Sequence, residues 1–181
     1  MEVELIGITT DDCLSRDELI EHAGVTFEIS GISRSCSHQL VRHRLASYSQ
    51  ESQRYVSMSD PEWVLPPAIV ENPEARVIWD RFAGEVKAAY RALRELGIRK
   101  EDARFVLPNA TATRIVVTMN LRQLLHVFRI RISPEAQWEI RDVCVRMLEL
   151  VYPIAPSVFG DLREELKAKY PSFFEMDKRC A

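Results

Sequence analysis

The chain has 181 residues, 46% of them hydrophobic and 28% charged, with a formal net charge of −3. This length and balance fit one domain with a buried core, and the net negative charge disfavours bulk attraction to nucleic acid. No apolar run reaches membrane-spanning length, and MEVELIGITTDD lacks a basic segment followed by an apolar one, so a cytoplasmic setting without membrane or signal peptide is expected.

Val3 to Thr9 alternates weakly and is β-rich, which predicts a strand. Asp11 to Glu21 is polar and reads as a short helix or loop. Val25 to Ser33 (VTFEISGIS) predicts a second strand. Ser35 is the expected cap of a helix running to about Arg44. Ser47 to Ser59 reads as an ordered polar loop, which Asp60-Pro61 and Pro66-Pro67 continue. Asn72 as N-cap, Pro73 at the first helical position and Gly97 beyond the end bracket a helix. Its expected buried stripe is Ile78, Phe82, Val86, Ala89, Tyr90, Leu93 and Leu96. Thr111 to Thr118 predicts a strand, and Asn120 caps a helix to about Ile130. Ser133-Pro134 opens another helix through Val151, and a last amphipathic helix follows Gly160. The expected fold class is α+β, a small mixed or antiparallel sheet with helices packed around it.

Cys13, Cys36, Cys144 and Cys180 form no CxxC pair and have no zinc-ligand spacing with histidine, so thiols and no metal are expected. The charge pattern is more informative. Residues 29–50 contain no acid and no lysine, but hold Arg34, Arg42 and Arg44 with His38 and His43. Residues 103–134 repeat this with Arg104, Arg114, Arg122, Arg129 and Arg131. Arginine-only windows in an acidic chain suit planar, bidentate contacts to phosphate or carboxylate. Two solvated helix faces would give the same composition.

The strongest signal is the run Arg42-His43-Arg44 followed by a polar loop to Tyr55. A helix reaching Arg44 would put Gln39, Arg42 and His43 on one face. Arg44 would point about 200° from Arg42, at about 100° per residue. One short segment would then address two ligands, or two parts of one. The loop has little to bury, so its order is expected to come from ligand or subunit contacts.

Arg42-His43-Arg44, seven residues and Ser52 match the signature of the flavin-dependent thymidylate synthases. SRSCSHQLVRHRLASYSQESQRY (33–55), EDARFVLP (101–108) and the stretch from Thr113 to Ile140 ending in AQWEI resemble that family as well, in the same order. The resemblance covers roughly residues 20–160. It implies a homotetramer whose active sites are shared between subunits. It also implies reductive methylation of dUMP to dTMP, with methylenetetrahydrofolate as carbon donor and FAD, reduced by NADPH, as hydride source. Gln39, Arg42, Gln50, Glu51, Ser52, Gln53, Arg54, Arg104 and Arg131 would contact dUMP, with Ser52 and Arg54 near its phosphate. Arg42, His43, Arg44, Gln50, Asn120, Arg122 and His126 would contact FAD. Arg131 would be catalytic. A fixed cation at the pyrimidine edge stabilises the N3-ionised uracil and enriches C5 in electrons.

Two departures stand out. The stretch between the first strand and Glu21-His22 is shorter than the family pattern, and Glu18 stands where a Ser or Thr is usual. Ser49-Gln50-Glu51 replaces a common Asn-Glu-Leu. Competing readings are a pyrimidine C5 hydroxymethylase, a homologue that keeps the fold without turnover, and a single-strand nucleic-acid binder. The last lacks the interleaved aromatics such binding uses. His43 and His126, taken alone, read as structural histidines, and Trp63, Trp79 and Trp138 as packing aromatics.

Overall fold

The computed structural model describes residues 1–9 and 15–175, so Cys13, Cys180 and the start of the Asp11–Glu21 stretch lie outside the described residues. The order is β1 (Glu2–Thr9), α1 (Arg16–His22), β2 (Gly24–Ser33), α2 (Arg34–Leu40), β3 (Ser47–Gln50) and α3 (Pro67–Val70). Then come α4 (Pro73–Glu95), α5 (Lys100–Ala103), β4 (Ala112–Asn120), α6 (Leu121–Arg131), α7 (Trp138–Val151) and α8 (Pro156–Lys169). The four strands form one sheet in the order β1-β2-β4-β3. Two compact units are distinguished: residues 1–30, 38–49 and 115–181, and residues 31–37 with 50–114.

In the first unit β1 pairs antiparallel with β2, from Glu2 opposite Ser30 to Thr9 opposite Gly24, with an irregularity between Leu5 and Gly7. Strand alternation turns Val25, Phe27 and Ile29 of β2, and Ile115, Val117 and Met119 of β4, into the core. Helix α7 packs on β1, and α6 packs on α7 and α8. The helices bury Leu124, Val127 and Phe128 of α6, Ile140 and Leu148 of α7, and Phe159 of α8. Between β2 and β4 the hydroxyls of Thr26 and Thr118 meet at 2.9 Å.

Helix α1 is set by a capping box. The Ser15 hydroxyl accepts from the Glu18 amide at 3.4 Å, and the Glu18 carboxylate accepts from the Ser15 amide at 2.9 Å. Glu18, a departure from the family pattern, is therefore the residue that closes this helix start. Those bonds also hold its carboxyl below the usual value.

Helix α2 stops at Leu40, not near Arg44, and Ser35 is not its cap: the Ser33 hydroxyl accepts from the Cys36 amide at 3.0 Å. The early stop has a local cause. The Tyr48 hydroxyl reaches the Leu40 carbonyl at 2.8 Å and the His43 carbonyl at 2.9 Å. The Leu40 carbonyl also accepts from the His43 amide at 3.1 Å, a tighter turn than an α-helix makes. Gln39, Arg42 and His43 thus do not share a helical face. Ser47–Gln50, expected as loop, is strand β3.

Two further boundaries move. Residues 133–136 form a turn, and Gln137 caps α7 through the Glu139 and Ile140 amides at 3.0 and 3.3 Å. Helix α8 begins at Pro156 and runs through Gly160, because burial of Val158 and Phe159 outweighs the glycine's weak propensity.

In the second unit α4 follows its local signals. The Asn72 side chain accepts from the Glu74 and Ala75 amides at 3.0 and 3.1 Å. At the other end Gly97 adopts φ +81, the Gly97 amide reaches the Arg94 carbonyl and the Ile98 amide reaches Leu93, a Schellman closure. The expected stripe is only partly inside. Ala83, Val86 and Tyr90 are buried, whereas Ile78, Phe82 and Leu96 are exposed. Tyr90 packs with Met58 and Ala103, and its hydroxyl accepts from the Met58 amide at 3.4 Å. The loop after β3 is therefore anchored within its own unit, contrary to the expectation that it needs a ligand or partner for order. Trp63 and Trp79 meet edge to face at 6.2 Å between centroids.

Candidate active site

Within the first unit, Arg131 in the last turn of α6 points at the turn after α2. Its Nε donates to His43 Nε2 at 3.0 Å, and its Nη2 donates to the Gln39 carbonyl at 3.3 Å. A guanidinium has donors only, so His43 is the acceptor and carries its proton on Nδ1. His43 is 7% exposed, and His126 lies edge-on to it at 6.4 Å between centroids. Burial, then Arg131, then His126 lower the His43 pKa to about 4. Burial raises the Tyr48 hydroxyl to about 12, Cys144 adding to it, and burial raises the Cys144 thiol to about 12. Neither is a nucleophile at neutral pH.

The His43 shift has a consequence for acid stability. An unfolded histidine takes up a proton near its ordinary value of 6.5, whereas the folded one waits until about 4. Between these values the unfolded chain binds more protons, so this group lowers stability as pH falls from about 6.5 to about 4. Thermal melts across that range should show His43→Gln less acid-sensitive than the parent chain. Equal slopes would contradict the buried, neutral imidazole.

Arg42 and Arg44 are exposed, and no ion pair to either is seen among the described residues. Asn120 and Arg122 are occupied structurally. Asn120 caps α6 through the Gln123 amide at 2.9 Å and donates to the Glu21 carbonyl at 3.0 Å, while Arg122 pairs with the Glu21 carboxylate. His126 is exposed on α6.

The second unit gathers the loop residues. Gln50 Nε2 donates to the Ser37 hydroxyl at 2.9 Å and to the Thr113 hydroxyl at 3.3 Å. The Glu51 amide donates to the Arg114 carbonyl at 2.9 Å. Ser52 accepts from the Arg54 amide at 3.3 Å, and Gln53 is buried. Arg54 grips Glu101 through Nη2 at 3.1 Å, Arg99 holds the other carboxylate oxygen at 3.1 Å, and Arg104 Nε donates to the Glu101 carbonyl at 3.1 Å. Glu101 thus ties together Arg54 and Arg104, two of the predicted ligand arginines. Arg54, Tyr55, Arg94, Arg99, Lys100 and Glu101 line a cavity of about 310 Å³. Burial, with Arg104 nearby, lowers the Arg34 pKa, and Glu51 opposes this.

Sequence reasoning missed Glu101 and Glu21 as members of these clusters. Glu101 opens the EDAR block three residues before Arg104, a spacing that signals helical proximity. Glu21 gave no such signal, since its partner Arg122 is 101 residues away.

Guanidiniums held by internal acceptors, Arg131 in the first unit and Arg54 and Arg104 in the second, sit on an α+β scaffold, and planar donor forks of this kind suit carboxylate and phosphate. A family model described as thymidylate synthase complementing protein matches residues 14–157, and the chain belongs to that family. It is 49% identical over 150 residues to a flavin-dependent thymidylate synthase of Geobacter sulfurreducens, an alignment covering 82% of this chain and 65% of the relative. It is 50% identical over 149 residues to the one from Nitratidesulfovibrio vulgaris, covering 78% and 61%. The chain therefore spans less than two thirds of these relatives' own length. A crystal structure of thymidylate synthase X from Helicobacter pylori with FAD and dUMP shares the fold, with a TM-score of 0.67 and 22% identity, over 89% of this chain and 98% of that one. No helix among the described residues is long and apolar enough to cross a membrane.

Proposed function

We propose that this chain is a single flavin-dependent thymidylate synthase-like domain that methylates dUMP at C5 to give dTMP. In this reading methylenetetrahydrofolate supplies the carbon, and FAD reduced by NADPH supplies the hydride that completes the methyl group. The observation that carries it is the pose of Arg131. Its Nε and Nη2 are held by His43 and Gln39, so the remaining donors are free to meet a pyrimidine edge. A cation fixed there stabilises the N3 anion of uracil and makes C5 a better nucleophile toward the one-carbon donor.

Ser52 and Arg54 hold the phosphate, with Gln39, Arg42 and the loop Gln50–Gln53 around the rest of the nucleotide, and Arg104 reaches the nucleotide from another subunit. Arg54 is engaged by Glu101, so phosphate binding exchanges one anion for another at the same fork. The exposed, donor-only Arg42 and Arg44 fit the diphosphate of FAD, and His43, Gln50, Asn120, Arg122 and His126 complete that site. No cysteine takes part, in keeping with the Cys144 thiol being held protonated. The exposed apolar side chains Val77, Ile78 and Phe82 on α4 support assembly into a homotetramer with shared sites.

Product analysis tests the reading. Incubating the chain with dUMP, methylenetetrahydrofolate, NADPH and FAD is expected to give dTMP. A 5-hydroxymethyl product, or no conversion with every cosubstrate present, would contradict it.

A further inference from the structure

Resting on that reading of Arg131, we propose that His43 is a positioning residue: as a neutral acceptor it locks one edge of the Arg131 guanidinium, so that only the opposite edge is presented to substrate. Guanidinium donors form two forks. The side-on fork comprises Nε and one hydrogen of Nη2, and the end-on fork comprises Nη1 and Nη2. Here the side-on fork is fully used, by His43 Nε2 at 3.0 Å and the Gln39 carbonyl at 3.3 Å. No hydrogen bond from Nη1 is seen among the described residues. The end-on fork is what remains for a ligand.

The acceptors come from the last turn of α2 (Gln39) and the turn that follows it (His43), and the donor from the end of α6. A flexible arginine stem would otherwise sample many rotamers, and holding it in one preorganises the charge before substrate arrives. The imidazole does this only while uncharged. A protonated His43 would have no lone pair at Nε2 and would repel the guanidinium. The surroundings favour the neutral form: Arg131 and His126 approach from α6, and His43 is nearly enclosed. Among the described residues, the further titratable groups seen to interact with His43 or Arg131, Tyr48 on β3 and Cys144 on α7, are both uncharged at neutral pH. The tautomer is fixed too, with the proton on Nδ1.

This role differs from direct flavin contact, and the two separate experimentally. Glutamine can place an acceptor near the position of Nε2, whereas leucine cannot. His43→Leu is expected to lower kcat about 10-fold or more, beyond what any loss of flavin affinity accounts for, and His43→Gln to recover most of the loss. In an Arg131→Ala background, His43→Leu should cost nothing further, since it acts only through the lost guanidinium. Additive losses, a Gln variant as damaged as Leu, or a loss of flavin affinity that accounts for the kinetic defect would overturn the proposal. A readout independent of turnover is the nitrogen NMR signature of His43 at pH 6. Measured on the parent chain, so that no variant has to fold, protonation at Nδ1 alone is expected, and an imidazolium or an Nε2–H tautomer would overturn the proposal. If the chain made no dTMP, the functional reading would fall, while the tautomer would still decide whether His43 serves Arg131.

Discussion

Arg131→Ala is expected to lower kcat by about 100-fold or more while the chain stays folded and still takes up flavin. Losing a fixed donor that stabilises a developing anion typically costs about 10²–10³ in kcat, and the Arg131 guanidinium is held by two internal acceptors. Stability should fall much less, because Arg131 ends α6 and its side chain is only partly buried. Arg131→Lys should rescue little: an ammonium keeps the charge but has no planar fork to match both His43 and the ligand. Steady-state kinetics beside a thermal melt check this. Parent-like turnover in Arg131→Ala would remove it from the chemistry.

Phe128→Ala is expected to cost about 3–5 kcal/mol, the usual range for emptying a buried phenylalanine site. Phe128 on α6 and Phe159 on α8 are both fully buried, with ring centroids 5.8 Å apart and planes inclined at 63°. The backbone there is helical on both sides, so the cavity has little freedom to collapse. At this chain length the melting temperature should drop on the order of 10 °C. Because α6 carries Arg131 at its end, the same variant should also weaken activity at temperatures where it remains folded. A loss below about 1 kcal/mol in denaturant titration would show that this pair does not anchor the helix.

What was readable in the residues divides along the range of the interactions. Helix α4 was legible because Asn72, Pro73 and Gly97 act within a turn of their own positions. Strands β2 and β4 were legible because one face is buried and alternation records it, and β1 because it alternates between half-buried and exposed positions. The end of α2 was not, since it depends on the Tyr48 hydroxyl reaching back eight residues to Leu40. Strand β3 was not, since its serines and glutamine carry no period and its order comes from pairing in the sheet. Gly160 misled because a glycine reads as a stop, while burial of its neighbours carried α8 through.

The site divides in the same way. Two acid-free arginine windows drew attention to most of these cations, and the family resemblance added Arg54 and assigned the expected roles. Neither disclosed their internal partners. Glu101 lies 47 residues from Arg54 and Glu21 lies 101 from Arg122, so compensation of charge is a property of the fold. The His43–Arg131 contact, across 88 residues, belongs to the same class: both residues were singled out, but not as partners.

The central claim is that these arginines gather a pyrimidine nucleotide beside a flavin. Its most direct test is to load the purified chain with FAD, remove the excess, and add dUMP while following the flavin absorbance. The account predicts retained flavin and a saturable spectral change with dUMP, abolished in Arg54→Ala at the same nucleotide concentration. A chain that takes up no flavin at any ratio, or a loaded chain whose spectrum ignores dUMP, would contradict it.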